Sequence, residues 1–71
     1  MFHRTLKRDA TDQALAAGCD RKAARYAANR AAYWRDWHLL PEPRAIQYAV
    51  WDAQVHQHQR ELGAAAAIHG G

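Results

Sequence analysis

The chain has 71 residues, with ten Lys and Arg against seven Asp and Glu, and a formal net charge of +3. A chain of this length forms one small domain that buries only about 60% of the surface of its unfolded state. Its single cysteine excludes an intramolecular disulfide and a thiolate-rich zinc site, and no apolar run approaches the roughly 18 residues of a membrane span. With no signal-peptide core, these features favour a soluble, cytoplasmic protein without membrane contact.

The first predicted helix covers about residues 5–17. Apolar side chains recur along one side of it at spacings of three and four: Phe2, Leu6, Ala10, Ala14 and Ala17. The hydroxyl of Thr11 is placed to cap a second short helix, so a break at this residue is the alternative to one continuous helix. Gly18 is the expected end, because glycine adopts the left-handed cap conformation without strain.

The second predicted helix begins after Asp20, a favourable N-cap residue, and continues to about residue 39, because Pro41 restricts Leu40. Its apolar side is composed of alanines and tryptophans with two tyrosines at its edges: Ala23, Ala27, Ala31, Trp34 and Trp37, with Tyr26 and Tyr33. The opposite side is polar: Arg21, Lys22, Arg25, Asn29 and Asp36.

The third predicted helix covers about residues 43–62, after the connector "LLPEPRA". Pro43 suits a first helical turn, Glu42 complements the helix dipole, and Gly63 is an expected stop. Two apolar stripes run along this helix, the first composed of Ile46, Ala49, Val50 and Ala53, and the second of Tyr48, Trp51, Val55 and Leu62. The second helix can cover one stripe, so either the first helix or another copy of the chain has to cover the other.

These elements predict an all-α fold: a long helical hairpin (about 20–39 and 43–62) with a shorter N-terminal helical segment packed against it, in a three-helix arrangement. Residues 1–63 form one domain, and the Ala/Gly-rich segment 64–71 is expected to be frayed. Roughly a quarter of the residues are alanine, which adds little volume to a core. The core volume is therefore expected from the aromatic residues: Phe2, Tyr26, Tyr33, Trp34, Trp37, Tyr48 and Trp51.

Positive charge is concentrated in the first half of the chain. Eight of the ten Lys and Arg lie at or before Arg35 against three aspartates, so residues 1–35 carry +5 and the remainder carries −2. Arg21 and Lys22 stand in the first turn of the second helix, where the helix dipole disfavours cations. Either this turn is presented to a polyanion, with nucleic acid the first candidate, or it is an indifferent solvated surface.

The stretch "ALAAGCDRKAARY" resembles the helix-turn-helix motif of DNA-binding regulators. The matching features are Ala14 in a short first helix, Gly18 at the turn four residues later, and a basic start to the second helix. The resemblance covers about residues 11–30. It implies a small protein of transcription regulation that binds duplex DNA through the second helix, with these residues facing the major groove: Arg21, Lys22, Arg25 and Asn29.

The alternative hypothesis is an adaptor or inhibitor that docks the aromatic hairpin on a larger protein. Trp, Tyr and Arg are the residues most enriched in interface hot spots, and the hairpin is rich in them: Tyr26, Arg30, Tyr33, Trp34, Trp37, Tyr48 and Trp51. Arg30 either stacks on the neighbouring rings or is a snorkelling residue at the edge of the core. The extra stripe of the third helix predicts a homo-oligomer, such as a homodimer, under either function.

Catalytic and metal-binding patterns are weak, so neither an enzyme nor a cofactor is expected. The chain contains no serine, which excludes a serine nucleophile. Cys19 lies at a helix start, which modestly stabilises a thiolate, but we interpret it as a small turn residue rather than a nucleophile. His56 and His58 project about 200° apart on a helix and cannot share one ion. Asp52 and His56 do share a face, as a hydrogen-bonded structural pair or as half of a metal site.

Overall fold

The computed structural model describes the backbone of residues 3–69 and the side chains of residues 3–64. It contains three α-helices, α1 (Arg4–Ala16), α2 (Arg21–Trp37) and α3 (Glu42–His69), and the described residues include no strand. The all-α, three-helix prediction is therefore confirmed.

α1 is one continuous helix, so the break considered at Thr11 does not occur. The hydroxyl of Thr11 donates a hydrogen bond back to the carbonyl oxygen of Lys7 at 2.8 Å, which satisfies it inside the helix instead of at a new cap. The helix ends at Ala16, and Gly18 follows with a φ of 97°. This left-handed conformation is strained for other residues, and the predicted glycine stop is confirmed.

α2 begins as predicted and ends two residues early. Asp20 has extended backbone and its Oδ1 accepts a hydrogen bond from the N–H of Ala23 at 2.9 Å, which confirms the N-cap. The helix ends at Trp37, whereas residue 39 was predicted. Leu39 has a φ of 55°, so the chain leaves the helical conformation before Pro41 is reached.

α3 extends beyond its predicted end. It begins at Glu42 and continues through Gly63 to His69, so the stop expected at Gly63 is wrong. One interior glycine costs a helix only about 1 kcal/mol, and the alanines after it favour the helix. In the segment expected to be frayed, residues 64–69 have helical backbone, and residues 70 and 71 lie outside the described residues.

The helices run up, down and up. His3, just before α1, contacts Asp36 near the end of α2, with His3 Nε2 and Asp36 Oδ1 2.7 Å apart. Asp20, at the start of α2, is ion-paired to Arg60 late in α3. Both neighbouring pairs of helices are therefore antiparallel. The molecule measures 45 × 22 × 18 Å, and its longest dimension matches the length of about 42 Å expected for the 28 residues of α3.

The core is built from alanine, so the prediction that aromatic side chains supply its volume is wrong. Leu6, Cys19 and Ile46 are the larger members of the buried cluster, and the others are Ala10, Ala14, Ala23, Ala24, Ala27, Ala31, Ala49 and Ala53. Small side chains at a helix contact allow the two helix axes to approach closely, which leaves little room for aromatic rings between them. Tyr26 and Trp34 pack at its edge. Phe2 lies outside the described residues, and Ala17 is exposed.

The two apolar stripes of α3 differ in burial. Ile46, Ala49 and Ala53 of the first stripe are buried. In the second stripe, Trp51, Val55 and Leu62 are exposed, so neither α1 nor α2 covers them. Trp37, predicted on the apolar side of α2, is also exposed. No helix in the described part of the chain is both long and apolar enough to cross a lipid bilayer.

Candidate functional site

Side chains of α2 and α3 meet in a regular antiparallel ladder. Trp34 meets Tyr48 edge to face, with ring centroids 5.2 Å apart. One turn further along, Arg30 meets Asp52, and after another turn Tyr26 stacks on His56 at 4.2 Å. Each step of four residues back on α2 is matched by a step of four forward on α3, because residues four apart lie on one helix face. The ladder aligns the two helices along their length.

The Asp52 carboxylate is the polar centre of this ladder. Its Oδ2 accepts hydrogen bonds from Arg30 Nε at 2.9 Å and from Trp34 Nε1 at 2.7 Å. The guanidinium carbon of Arg30 lies 4.2 Å from the ring centroid of Tyr33 and 5.4 Å from that of Trp34. Of the two alternatives considered for Arg30, stacking on aromatic rings is therefore the one observed.

His56 does not pair with Asp52, so the hydrogen-bonded pair expected from their spacing is wrong. Its ring stacks on Tyr26 with an interplanar angle of 12°, and the carboxylate of Asp52 is occupied by residues of α2. No group of three or more metal-ligating side chains lies within the described part of the chain.

Most of the aromatic residues proposed for protein docking are engaged inside the chain. Besides the ladder contacts, the hydroxyl of Tyr33 lies 3.0 Å from His38 Nε2. Trp37 and Trp51 are different, with exposed fractions of 77% and 66%. Leu39, which sequence reasoning did not select, is 76% exposed. The ladder thus removes Tyr26, Arg30, Trp34 and Tyr48 as free anchors. Tyr33 is 37% exposed but contacts Arg30 and His38, so the two tryptophans are the most exposed of these residues.

The cations and the amide predicted to bind DNA are all exposed: Arg21, Lys22, Arg25 and Asn29. Among the described residues, ion pairs join Arg30 to Asp52, Arg60 to Asp20 and, when His3 is protonated, His3 to Asp36. No carboxylate in that part of the chain neutralises the cations in the first two turns of α2.

α1 adds further positive charge along the same side of the hairpin, toward the end of α2. A groove between the two helices is lined by Thr11 and Leu15 of α1 and by Arg21, Ala24 and Arg25 of α2. Arg4 and Arg8 are exposed and follow the same side of α1 as Thr11 and Leu15, at helical spacing. We call this surface the basic face; it consists of Arg4, Arg8, Arg21, Lys22, Arg25 and Asn29.

The pairing of α1 and α2 is that of an antiparallel helical hairpin. The contact between His3 and Asp36 holds the start of α1 beside the end of α2. A helix-turn-helix instead crosses its two helices at about 90–120°. The glycine turn and the capped start of α2 are the features shared with that motif, and a helix-turn-helix function stays a prediction.

The turn between α1 and α2 also holds Cys19, whose thiol is buried. Burial first, and the negative charge of Asp20 second, raise the pKa of this thiol above its ordinary value. The thiolate stabilisation expected from the helix start is therefore wrong. The pKa of Asp20 itself is lowered, chiefly by the hydrogen bond from the Ala23 N–H and further by Arg60.

Two features of the site were missed from the sequence. The ladder has a signal in the sequence, because both helices repeat polar and aromatic residues every four positions. The register of the ladder, however, depends on how the helices pack. The conformation of Leu39 carries no signal, because leucine disfavours the left-handed region.

Comparison of the chain with family models, with curated proteins and with solved structures found no match.

Proposed function

We propose that the protein is a small, non-enzymatic regulatory protein that binds duplex DNA through its basic face. The observation that carries this proposal is the exposure of Arg21, Lys22 and Arg25 without an acidic partner among the described residues. The arginines that hold the fold together, Arg30 and Arg60, are paired with carboxylates. The cations of the basic face, in contrast, form no ion pair with another described residue.

The position of these cations adds a second argument. A positive charge in the first turn of a helix opposes the helix dipole and costs about 0.3–1 kcal/mol. Arg21 and Lys22 both stand in the first turn of α2, which contains no acidic residue. A polyphosphate partner offsets this cost, since each neutralised phosphate releases condensed counterions.

The proposed mode of binding is contact with the phosphate backbone. α1 lies along α2, so the basic face is two helices wide, whereas the major groove of B-DNA, about 12 Å wide, admits one helix. Arginines from both helices can contact phosphates on either side of a groove, and Asn29 can donate a further hydrogen bond to a phosphate oxygen. Affinity should then depend steeply on salt.

The test is fluorescence anisotropy of a labelled duplex of about 25 base pairs, titrated with protein between 50 and 200 mM salt. The variant Arg25→Gln removes one charge from the basic face. The control variant Arg44→Gln removes one charge at an exposed position of α3. We expect Arg25→Gln to weaken binding about three- to tenfold and to reduce the slope of log K against log salt by about 0.9. Arg44→Gln should change neither value appreciably.

Three results would contradict the proposal. The first is a wild-type protein that does not bind duplex at 50 mM salt. The second is an Arg25→Gln variant that binds as the wild type does. The third is an equal loss in Arg44→Gln, since this would mean that net charge alone, rather than the basic face, determines binding.

A second candidate function, docking on a larger protein as an adaptor or inhibitor, is favoured by the hairpin tip between α2 and α3. There Trp37 and Leu39 are each more than three-quarters exposed, and Leu39 has a positive φ. Strained backbone that presents a large apolar side chain is typical of binding sites. Affinity capture after nuclease treatment tests this candidate. If this candidate is correct, the wild type and Arg25→Gln should both retain one partner protein, and Trp37→Ala should not retain it.

A further inference from the structure

We propose that a second copy of this chain covers the exposed stripe of α3, in an antiparallel pairing of the two α3 helices with Val55 near the two-fold axis. We call this surface the α3 stripe; it consists of the exposed residues Trp51, Val55 and Leu62. The inference is independent of DNA binding, because it concerns a different face of the molecule.

The α3 stripe has the spacing of a helix-pairing seam. Trp51 lies four residues before Val55, and Leu62 lies seven residues after it, which places all three on core positions of one heptad repeat. Trp51 is 66% exposed, Leu62 56% and Val55 44%. The remaining core position between Val55 and Leu62 is His58, an exposed polar residue, and one polar residue inside a seam is a common means of setting helix register.

The length of α3 leaves part of the stripe beyond the reach of the chain's own helices. Arg60 contacts Asp20, the N-cap of α2, and the turn after α1 reaches Glu61. From Leu62 to His69 the helix therefore extends beyond α2. A second α3 of the same length, running in the opposite direction, lies along this extension and has its own extension covered in return.

The distribution of charge selects α3 as the face on which two copies can meet. Each copy carries +3 overall, and residues 1–35 carry +5, so contact between basic faces is repulsive. Residues 42–62 contain two arginines against three carboxylates, and Asp52 and Arg60 are already paired within the chain. Like charges that face each other across an interface disfavour association. Contact between two α3 helices places few like charges opposite each other.

The area that an interface requires favours pairing along the helix over contact at one end. A standard interface buries about 800 Å² on each partner, which is more than Trp51, Val55 and Leu62 expose together. The pairing must therefore run along most of α3. An antiparallel orientation also places the negative end of each helix dipole beside the positive end of the other.

The test compares Val55→Glu with Leu15→Glu by sedimentation equilibrium from about 5 to 500 μM. The two residues are matched in exposure, at 44% and 45%, but Leu15 lines the groove between α1 and α2. We expect the wild type and Leu15→Glu to dimerise with similar dissociation constants, and Val55→Glu to dimerise at least tenfold more weakly. Circular dichroism verifies that each variant keeps its helix content.

Orientation is tested with single cysteine variants under mild oxidation. Val55→Cys should form a disulfide-linked dimer, and Leu62→Cys should not. Pairing about Val55 keeps the two copies of residue 62 about 21 Å apart, from a rise of 1.5 Å per residue, far beyond the reach of a disulfide. Wild type is the control, because its Cys19 is buried.

Four outcomes overturn the inference. One is a wild type that stays monomeric at 500 μM, and another is a dimer that Val55→Glu leaves intact. A dimer lost equally in Leu15→Glu assigns the interface to the other face. Cross-linking through residue 62 but not through residue 55 excludes the proposed pairing. Tenfold weakening in Val55→Glu alone, with cross-linking at residue 55 alone, supports it.

Discussion

The indole N–H of Trp34 donates a hydrogen bond at 2.7 Å to the carboxylate of Asp52, the same oxygen that accepts the Nε–H of Arg30. One side chain of α3 thus satisfies two donors of α2. The side chains of Arg30 and Asp52 are about 30% exposed or less, so these hydrogen bonds lie at the edge of the core and link the two long helices.

Removal of this acceptor should destabilise the fold. Asp52→Ala leaves the N–H groups of Trp34 and Arg30 half-buried without a partner, and we expect a loss of about 1–3 kcal/mol in the free energy of unfolding. Urea denaturation, followed by tryptophan fluorescence, measures it. The control is Asp36→Ala, whose contact with His3 is exposed and should contribute less than about 1 kcal/mol. Equal effects of the two substitutions would contradict this account.

Asp20 should make stability depend on acid pH. Because its pKa is lowered in the folded state, Asp20 stabilises the fold at any pH above the unfolded pKa of about 3.9. This contribution is lost as the pH falls through the lowered folded pKa. Thermal unfolding from pH 7 to pH 2 should therefore show a smaller acid-induced decrease in Tm for Asp20→Asn, which keeps a capping side chain without the charge. Identical profiles would refute the role of the carboxylate.

Leu39→Gly should stabilise the protein. Leucine in the left-handed region costs roughly 1–2 kcal/mol, and the substitution by glycine relieves this strain. Glycine also makes the unfolded chain more flexible, which favours unfolding by about 0.4–1 kcal/mol and cancels part of the gain. We expect a net increase of about 0.5–1 kcal/mol in the free energy of unfolding. Leu40→Gly, without a positive φ, should be destabilising. A decrease in the Leu39 variant as large as that in the Leu40 variant would contradict the prediction.

The alanine contacts should resist larger side chains. Ala27 is fully buried between helices, so Ala27→Leu forces the helices apart and should cost about 1–3 kcal/mol. Ala16→Leu, at an exposed position of α1, should change stability by less than about 0.5 kcal/mol, because leucine is also a good helix former. Chemical denaturation compares the two variants. Similar stabilities would show that the core is not closely packed around Ala27.

Cys19 should be unreactive in the native protein. Its thiol is buried and has a raised pKa, and only the thiolate reacts with disulfide reagents. We expect labelling at pH 8 to be at least about tenfold slower in native protein than in 6 M urea. Native labelling as fast as unfolded labelling would mean that the turn opens freely.

Much of the secondary structure followed from residues close together in the chain. Asp20 caps the N–H of Ala23, three residues away, and Gly18 adopts its positive φ where the chain turns. Such features are readable from sequence because donor, acceptor and conformational preference lie within one turn. Gly63 shows the limit: the same residue that ends one helix is tolerated inside another, when good helix formers surround it.

The composition of the core could not be read in this way. An apolar stripe identifies a buried side, but it does not state how closely two helices approach. Here the alanines allow a close approach, so methyl groups fill the interior while Trp51 and Trp37 are left outside. The candidate site shows the same division. Arg21, Lys22 and Arg25 are exposed, as expected from their position on the polar face of α2. Tyr26 and Trp34 are used in internal contacts, and this depends on where α3 packs.

The sequence by itself determined the three helices, the turn at Gly18, the cap at Asp20 and the polar side of α2, since each depends on interactions within a few residues. Only the tertiary structure decided which apolar side chains are buried, that Asp52 pairs with Arg30 and Trp34 rather than with His56, and that the α3 stripe stays uncovered. The physical reason is that these outcomes depend on the distance and register between helices. Both are set by the combined packing of many small contacts from distant parts of the chain.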